Sequence, residues 1–565
     1  MGIPSYFSYI IKNYSNIIRN LKFFTINNNV KFQHLYMDCN SIIYDSVHSL
    51  EKDINDGKKE TNDFENDVID MVIQKIDTYV DFIRPTGTLF IAFDGVAPFA
   101  KMEQQRTRRY KSWFLSKISF CEGFAKPLGG AKPRSSLDVT DRRSVKSTDD
   151  DKEKRISWNT SAITPGTNFM NNLSLRVKQA FLNKETKMKV NKIIVSGSDD
   201  KGEGEHKMYQ HIRDIRNIND NIAVYGLDAD LIMLSIFHLK YSKNIYVFRE
   251  TPEFFKNMIP EEAASNEPHF LDIRQLSVSI LCEMNCKFSD QHRINDYVFL
   301  CFFLGNDFLP HFPAMNIRTH GITALLDIYR INIGNKKDKY FICPLTNKIQ
   351  WQNVGEFLKE VAKNEKQFLL CEYNVRKKFD KFTFPEKTPE EKDNILLNAP
   401  IIYRADEKYI NPDEPYWEHR YYDTLFHKEY CNENIREIST NYFEGLEWVY
   451  TYYTSECPNW RWKYNYHYPP LFNDLCKFIP KDSQPLIESC DKSVSHFVQL
   501  CYVLPKSNLY LLPNNIENHI KNNYNHYYPL EYEFKWAFCR YFWESHPILP
   551  EIPLNVLERI INEAK

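Results

Sequence analysis

The stretch NKIIVSGSDDKGEGEHK, Asn191 to Lys207, decides how this chain is read. Val190 to Gly197 is an apolar, β-branched run of strand length, and a polar loop follows it. Two carboxylates, Glu203 and Glu205, then stand between glycines where a helical pattern, HKMYQHIRDI, begins. Working outward, the same order recurs. FQHLYMD ends at Asp38, GTLFIAFD at Asp94 and NIAVYGLDAD at Asp228 and Asp230, each leading into a helical pattern. Strands alternating with helices predict an α/β fold with a mainly parallel sheet, whose sites lie beyond the carboxyl ends of the strands. Every one of these acids is therefore expected at one sheet edge.

With 565 residues the chain can hold two to four domains, and its apolar content suffices for large cores. A net charge of −2 gives no overall attraction to a polyanion, so any such contact must be local. The thirteen cysteines include no CxxC pair, and Cys282 and Cys286 lack the partners of a zinc site, which fits reduced thiols inside a cell. The start MGIPSYFSYI lacks the basic flank and apolar core of a signal peptide, and YVFLCFFLG, Tyr297 to Gly305, is too short to span a bilayer. The expectation is a cytoplasmic monomer away from membranes, with the nucleus left open. Its high Asn, Tyr, Ile and Lys usage fits an AT-rich genome.

Asp307 in GNDFLP brings the acids to seven: Asp38, Asp94, Glu203, Glu205, Asp228, Asp230 and Asp307. One acid after a strand is most often a turn residue or a helix N-cap. Seven at one edge would repel each other unless cations neutralised them. Hard oxygen ligands without His or Cys favour Mg²⁺, with Mn²⁺ as a substitute, and the number suits two ions. Such a pair supports in-line displacement at phosphorus.

After Asp94, GVAPFAKMEQQRTRRYKSW reads as a helix opened by Pro98. Lys101, Gln105, Arg108 and Arg109 fall at i, i+4, i+7 and i+8, one helical face. Taken alone such a run is usually a solvated basic face. Just downstream of an acid cluster, it is also a receptor for a phosphate dianion.

Together these strings resemble the XRN family of 5′-3′ exoribonucleases, within the flap-nuclease, PIN-like superfamily. The resemblance rests on MGIPSYF, MDCNSIIYD, FDGVAPFAKMEQQRTRR, ITPGTNFM, GEGEHK, YGLDADLIML and FLGNDFLPHFP, and then on EGLEWVYTYY, CPNWRWKYNYHYPP and HFVQLCYVLP. It implies a nuclease core over 1–330, interrupted by a polar insertion at about 121–160. A variable helical connector over 331–440 and a mostly helical second region over 441–565, completing the active-site pocket, would follow. It also implies a compact form without the extra C-terminal domains of larger relatives.

The activity implied is processive removal of nucleoside 5′-monophosphates from single-stranded RNA bearing a 5′ monophosphate. The seven acids would be the catalytic and metal-binding residues. Lys101, Gln105, Arg108 and Arg109 would bind the 5′ phosphate in a pocket too small for caps. Tyr44 and either Trp460 or Trp462 would stack on bases, which tolerates any sequence. Partners in decapping or RNA decay are not legible.

Tyr44 departs from the family's usual His. GSDDKGEGE replaces a His-Glu-Val-Pro lead, so Asp199 and Asp200 add charge near the site or decorate a solvated loop. Two other activities remain. A structure-specific flap or gap DNA endonuclease would share the metal chemistry, but no glycine-rich helix-hairpin-helix pattern follows Asp307. An inactive RNA-binding scaffold would have no use for so many clustered acids.

Overall fold

The structure, a computed structural model, describes residues 3, 5–20, 30–120, 158–226, 228–249, 268–481 and 484–565. Strands β1 (Ile18–Arg19), β2 (His34–Asp38), β3 (Thr88–Ala92), β4 (Lys192–Ser196), β5 (Asn221–Tyr225), β6 (Asn244–Arg249) and β7 (His269–Asp272) form one sheet. Their order is β1-β7-β6-β5-β2-β3-β4. The five strands from β6 to β4 run parallel, β7 pairs antiparallel with β6, and β1 antiparallel with β7. The chain moves from β2 outward to β3 and β4, then returns to place β5 on the other flank of β2. That reversal places the switch point of the sheet at the carboxyl ends of β2 and β5, the position at which α/β sheets bind ligands.

Both faces of this sheet are covered, which is why its central strands read as continuous apolar runs. Alternate residues point to opposite faces. Tyr36, Phe90 and Val224 pack in one hydrophobic cluster, and Leu35, Met37, Leu89 and Ile91 in another. The second cluster includes helix α1 (Asn40–Asn55). Beyond β3 lies the long helix α2 (Phe99–Phe120), whose first turn follows Pro98 as the sequence predicts. Two short loops beyond β4 and β5 lead into α3 (Gly204–Ile215) and α4 (Ala229–His238).

Past residue 330 the described chain is largely helical. Helix α5 (Asn432–Thr454) buries Tyr442, Leu446, Trp448, Val449, Tyr452 and Tyr453 in the same cluster as α4. Helices α6 (His496–Val503) and α7 (Leu554–Glu563) pack against Val96, Phe99 and Met102 at the start of α2. The carboxyl edge of the sheet is therefore roofed by late segments of the chain. The expected polar insertion, at about 121–160, lies outside the described residues except for 158–160. No helix among the described residues is long and apolar enough to cross a membrane.

Candidate active site

The acids predicted to share one edge do so. Asp38 is the last residue of β2, Asp94 lies two residues beyond β3, and Glu203 and Glu205 open α3. Asp228 and Asp230 open α4, and Asp307 comes from the loop after a short helix, Phe302–Leu304. Glu203 and Asp228 both occupy N-cap positions, yet neither side chain bonds the first turn of its own helix. Asp63 and Asp272, at comparable positions elsewhere, do cap, accepting from Asn66 and Gln275 backbone N–H groups. The ordinary capping role of an acid is thus absent where the acids cluster.

Close packing brings the acids together. Asp94 Oδ1 accepts the Gly204 N–H at 2.7 Å, and its Oδ2 accepts from the Asn40 amide. A Cβ on Gly204 would lie 3.1 Å from Asp38 Oδ1 and 3.5 Å from Asp94 Oδ1, so the glycine lets the Glu203–Glu205 turn approach those strands. Gly95 has a stricter reason: its Cβ would come within 1.6 Å of the Asp200 carbonyl oxygen.

The crowding shows in proton affinity. Burial, then the Asp94 and Asp228 charges, push Asp38 up to about 8. Burial and the Asp307 charge push Asp230 up to about 6. Glu203 and Glu205 are raised by burial and by neighbouring acids, against the pull of Lys101. Burial would raise Asp307 as well, but Lys101 and Arg108 help hold it below the usual carboxylate range. Lys101 Nζ lies 2.6 Å from Glu203 Oε2 and 2.9 Å from Asp307 Oδ2, so it supplies one internal positive charge to the cluster. So little positive charge against seven acids leaves a strong preference for further cations. Carboxylate oxygens are the donors a hard divalent ion takes, so the residues present fit such ions.

Three side chains that the sequence reading missed complete the cluster. Tyr452 of α5 donates its hydroxyl to Glu203 Oε1 at 2.7 Å, and Tyr453 donates to Asp230. His206 lies beside Glu205, and ligand atoms of Glu203, Glu205 and His206 fall within 4.8 Å of one another. The only signal for the tyrosines was their adjacency in a tyrosine-rich helix, which reads as core. A His next to an acid on a helix reads as surface.

Along α2 the predicted face is present, but its members have separate surroundings. Lys101 joins the acids, and Gln105 accepts from Gln499 Nε2 of α6 at 3.0 Å. Arg108 is exposed. Arg109 is buried and donates to the carbonyls of Ser161 and Ile163 at 3.3 and 3.4 Å and to the Thr164 hydroxyl, while its Nε has no partner among the described residues. Those are neutral acceptors. Burial, then the like charge of Arg108, lower Arg109 to about 10. No carboxylate is among these acceptors, so they leave its charge uncompensated.

The aromatic candidates separate. Tyr44 on α1 is half-buried and near enough to Arg109 to interact with its charge. Trp462 and Trp460 are both half-buried against the main core cluster; Trp462 stacks on Trp448 at 5.5 Å, covers Gly445, and donates to Glu444 at 3.2 Å. Trp460 instead adjoins Gly202, carries Lys201 over its ring at 5.1 Å, and accepts the Phe99 N–H at the start of α2. Asp199 and Asp200 find other partners. Asp199 pairs with Lys178 at 2.8 Å, and Asp200 accepts from Ser196 at 2.8 Å.

Comparison with known proteins places the whole chain in one family. The family model described as XRN 5′-3′ exonuclease N-terminus matches residues 1–251, and the one described as Xrn1 helical domain matches 287–411 and 404–563. The 5′-3′ exoribonuclease 2 of Candida albicans is 24% identical, over 98% of this chain and 71% of its own length. The 5′-3′ exoribonuclease 1 of Saccharomyces cerevisiae is 25% identical, over 91% of this chain and 40% of its own length. A solved structure, the catalytic core of Rad2 in complex with DNA substrate, shares 14% identity over 69% of this chain and 83% of that one. Its TM-score of 0.30 is too low to bear on function.

Proposed function

Because this chain belongs to the XRN 5′-3′ exonuclease family, and is a 5′-3′ exoribonuclease, we propose that it hydrolyses single-stranded RNA carrying a 5′ monophosphate, releasing nucleoside 5′-monophosphates. One observation carries the substrate reading. The helix that starts at the acid cluster ends its predicted face in Arg109, a buried guanidinium with only neutral partners and an unpaired Nε among the described residues.

Asp38, Asp94, Glu203, Glu205, Asp228, Asp230 and Asp307 would hold two divalent ions, with Mg²⁺ the natural choice for the oxygen donors. When bound, such ions supply charge stabilisation and activated water at the scissile phosphate. The chain's own residues do the rest. Arg108 and Arg109 hold the terminal phosphate, and Gln105, fixed by Gln499, lies between them and Lys101. Lys101 offers a charge at the boundary between the phosphate face and the acids. Tyr452 and Tyr453 fix the orientation of Glu203 and Asp230. Tyr44 and Trp460 flank this region and would stack on the leading bases, with Trp462 stacked on Trp448.

Substituting Asp228→Asn or Glu203→Gln tests the assignment. Each variant should fold, shown by an unchanged circular dichroism spectrum, and should lose RNA hydrolysis by at least about a hundredfold. Retained hydrolysis in a purified double variant would refute it.

A further inference from the structure

We propose that His206 is a metal ligand, its Nε2 joining Glu203 and Glu205 in a mixed nitrogen and oxygen site that favours a first-row transition ion such as Mn²⁺ over Mg²⁺. This rests on the metal-dependent reading above and adds a ligand and a selectivity to it.

The geometry suits one shared ion. His206 Nε2 lies 3.9 Å from Glu205 Oε1, and the three side chains offer ligand atoms within 4.8 Å of one another. Two donors on one ion, each at about 2.1 Å, can stand at most about 4.2 Å apart, so His206 Nε2 and Glu205 Oε1 lie within reach of one ion, and separations in the trio of up to 4.8 Å need shorten only by a side-chain adjustment of about half an ångström. The nitrogen is also otherwise unused. His206 is 9% exposed, and Nε2 has no hydrogen-bond partner among the described residues. A buried polar atom left unpaired is costly unless something occupies it.

The rest of the ring is fixed as a ligand's should be. The backbone of Tyr452 interacts with the ring and opposes the loss of its proton, and Nε2 is the ring atom left facing Glu205. The ring stacks on Tyr452 at 3.5 Å, and that tyrosine bonds Glu203. His238 shows what a purely structural histidine does in this fold: Nε2 pairs with Arg213 at 2.9 Å and Nδ1 with the Leu234 carbonyl at 2.7 Å. His206 lacks that closure on one side, the side facing Glu205. Mg²⁺ takes oxygen ligands in a strict octahedron, whereas imidazole nitrogen suits first-row transition ions increasingly from Mn²⁺ onward, so a nitrogen donor here biases the choice away from Mg²⁺.

Pulsed electron paramagnetic resonance on the full chain loaded with Mn²⁺ provides the test, using protein with ordinary and ¹⁵N-labelled histidine. The wild type should show coupling from one histidine nitrogen. His206→Phe, which keeps a ring on Tyr452, should lose it and bind Mn²⁺ about tenfold more weakly, with Mg²⁺ binding unchanged. Bound Mn²⁺ without histidine coupling in the wild type overturns the proposal, whether or not the variant folds. So does coupling that persists in His206→Phe. RNA hydrolysis that depends on Mg²⁺ alongside such a spectrum would leave the exoribonuclease reading standing and remove only the ligand.

Discussion

At the scale of single residues, the acids are defined by what they do not do. Glu203 and Asp228 sit where acids normally cap helices and leave the caps unmade, so their charge is available to the site. A pH dependence follows for the metal-free protein. Asp38 has its folded value raised from 3.8 to about 8, so the folded state binds the proton more tightly than the unfolded chain. Its cost to stability begins above the unfolded value and is complete only above about 8. Asp307, held low, contributes stability that is lost only in acid, and so is constant across this window. Between about pH 6.5 and 8, where titrating histidines are common to both proteins and cancel in the comparison, thermal melts in EDTA should show the wild type losing stability relative to Asp38→Asn. Added Mg²⁺ should remove that slope, because the ion replaces the proton. Parallel curves in EDTA would mean that Asp38 is not crowded. Gly95→Ala should be destabilising by about 3 kcal/mol in chemical denaturation, because its Cβ would overlap the Asp200 carbonyl. Six of the acids could be picked out because they follow strand-like runs, and Asp307 only by the glycine and asparagine of its GNDF string. His206 was not: its neighbour Tyr452 lies far along the chain, and a local pattern cannot see across that gap.

At the scale of elements, α2 carries the most function. Its face was predictable from spacing, since 3.6 residues per turn places Lys101, Gln105, Arg108 and Arg109 on one side. The division of labour along it was not. Lys101 turns to the acids because Glu203 and Asp307 arrive there from other parts of the chain, and Arg109 is buried because residues 161–164 fold over it. Arg109→Ala should therefore lose about 2 kcal/mol of preference for a 5′ phosphate, roughly thirtyfold, when 5′-phosphorylated and 5′-hydroxyl RNAs are compared in competition binding. Equal loss for both RNAs would place Arg109 in the scaffold. Helix α5 acts on the same site from the opposite side. Tyr452→Phe should raise the Mg²⁺ concentration needed for half-maximal hydrolysis by several-fold, about 1 kcal/mol for a lost hydrogen bond to a carboxylate, with thermal stability largely kept. An unchanged metal requirement would show that the contact is only packing.

At the scale of the whole molecule, the sheet and its switch point place the site, and residues late in the chain close it. The alternation of strand and helix foretold the parallel sheet, but no local pattern foretold that Tyr452 would reach Glu203 across 249 positions of sequence. The same closure joins the hydrophobic clusters, where α5 shares a core with α4, and α6 and α7 share one with the start of α2. A chain ending at residue 330 would leave those faces of α4 and α2 uncovered, and should show no cooperative thermal transition. The central claim is that this site reads a 5′ phosphate and removes nucleotides from that end with divalent ions. Its most direct test is to incubate uniformly labelled RNAs bearing 5′ triphosphate, 5′ monophosphate or 5′ hydroxyl, with Mg²⁺ or EDTA, and to resolve the products by size. The account predicts mononucleotides from the monophosphate RNA alone, and only with metal. Internal fragments, or equal degradation of all three RNAs, would contradict it.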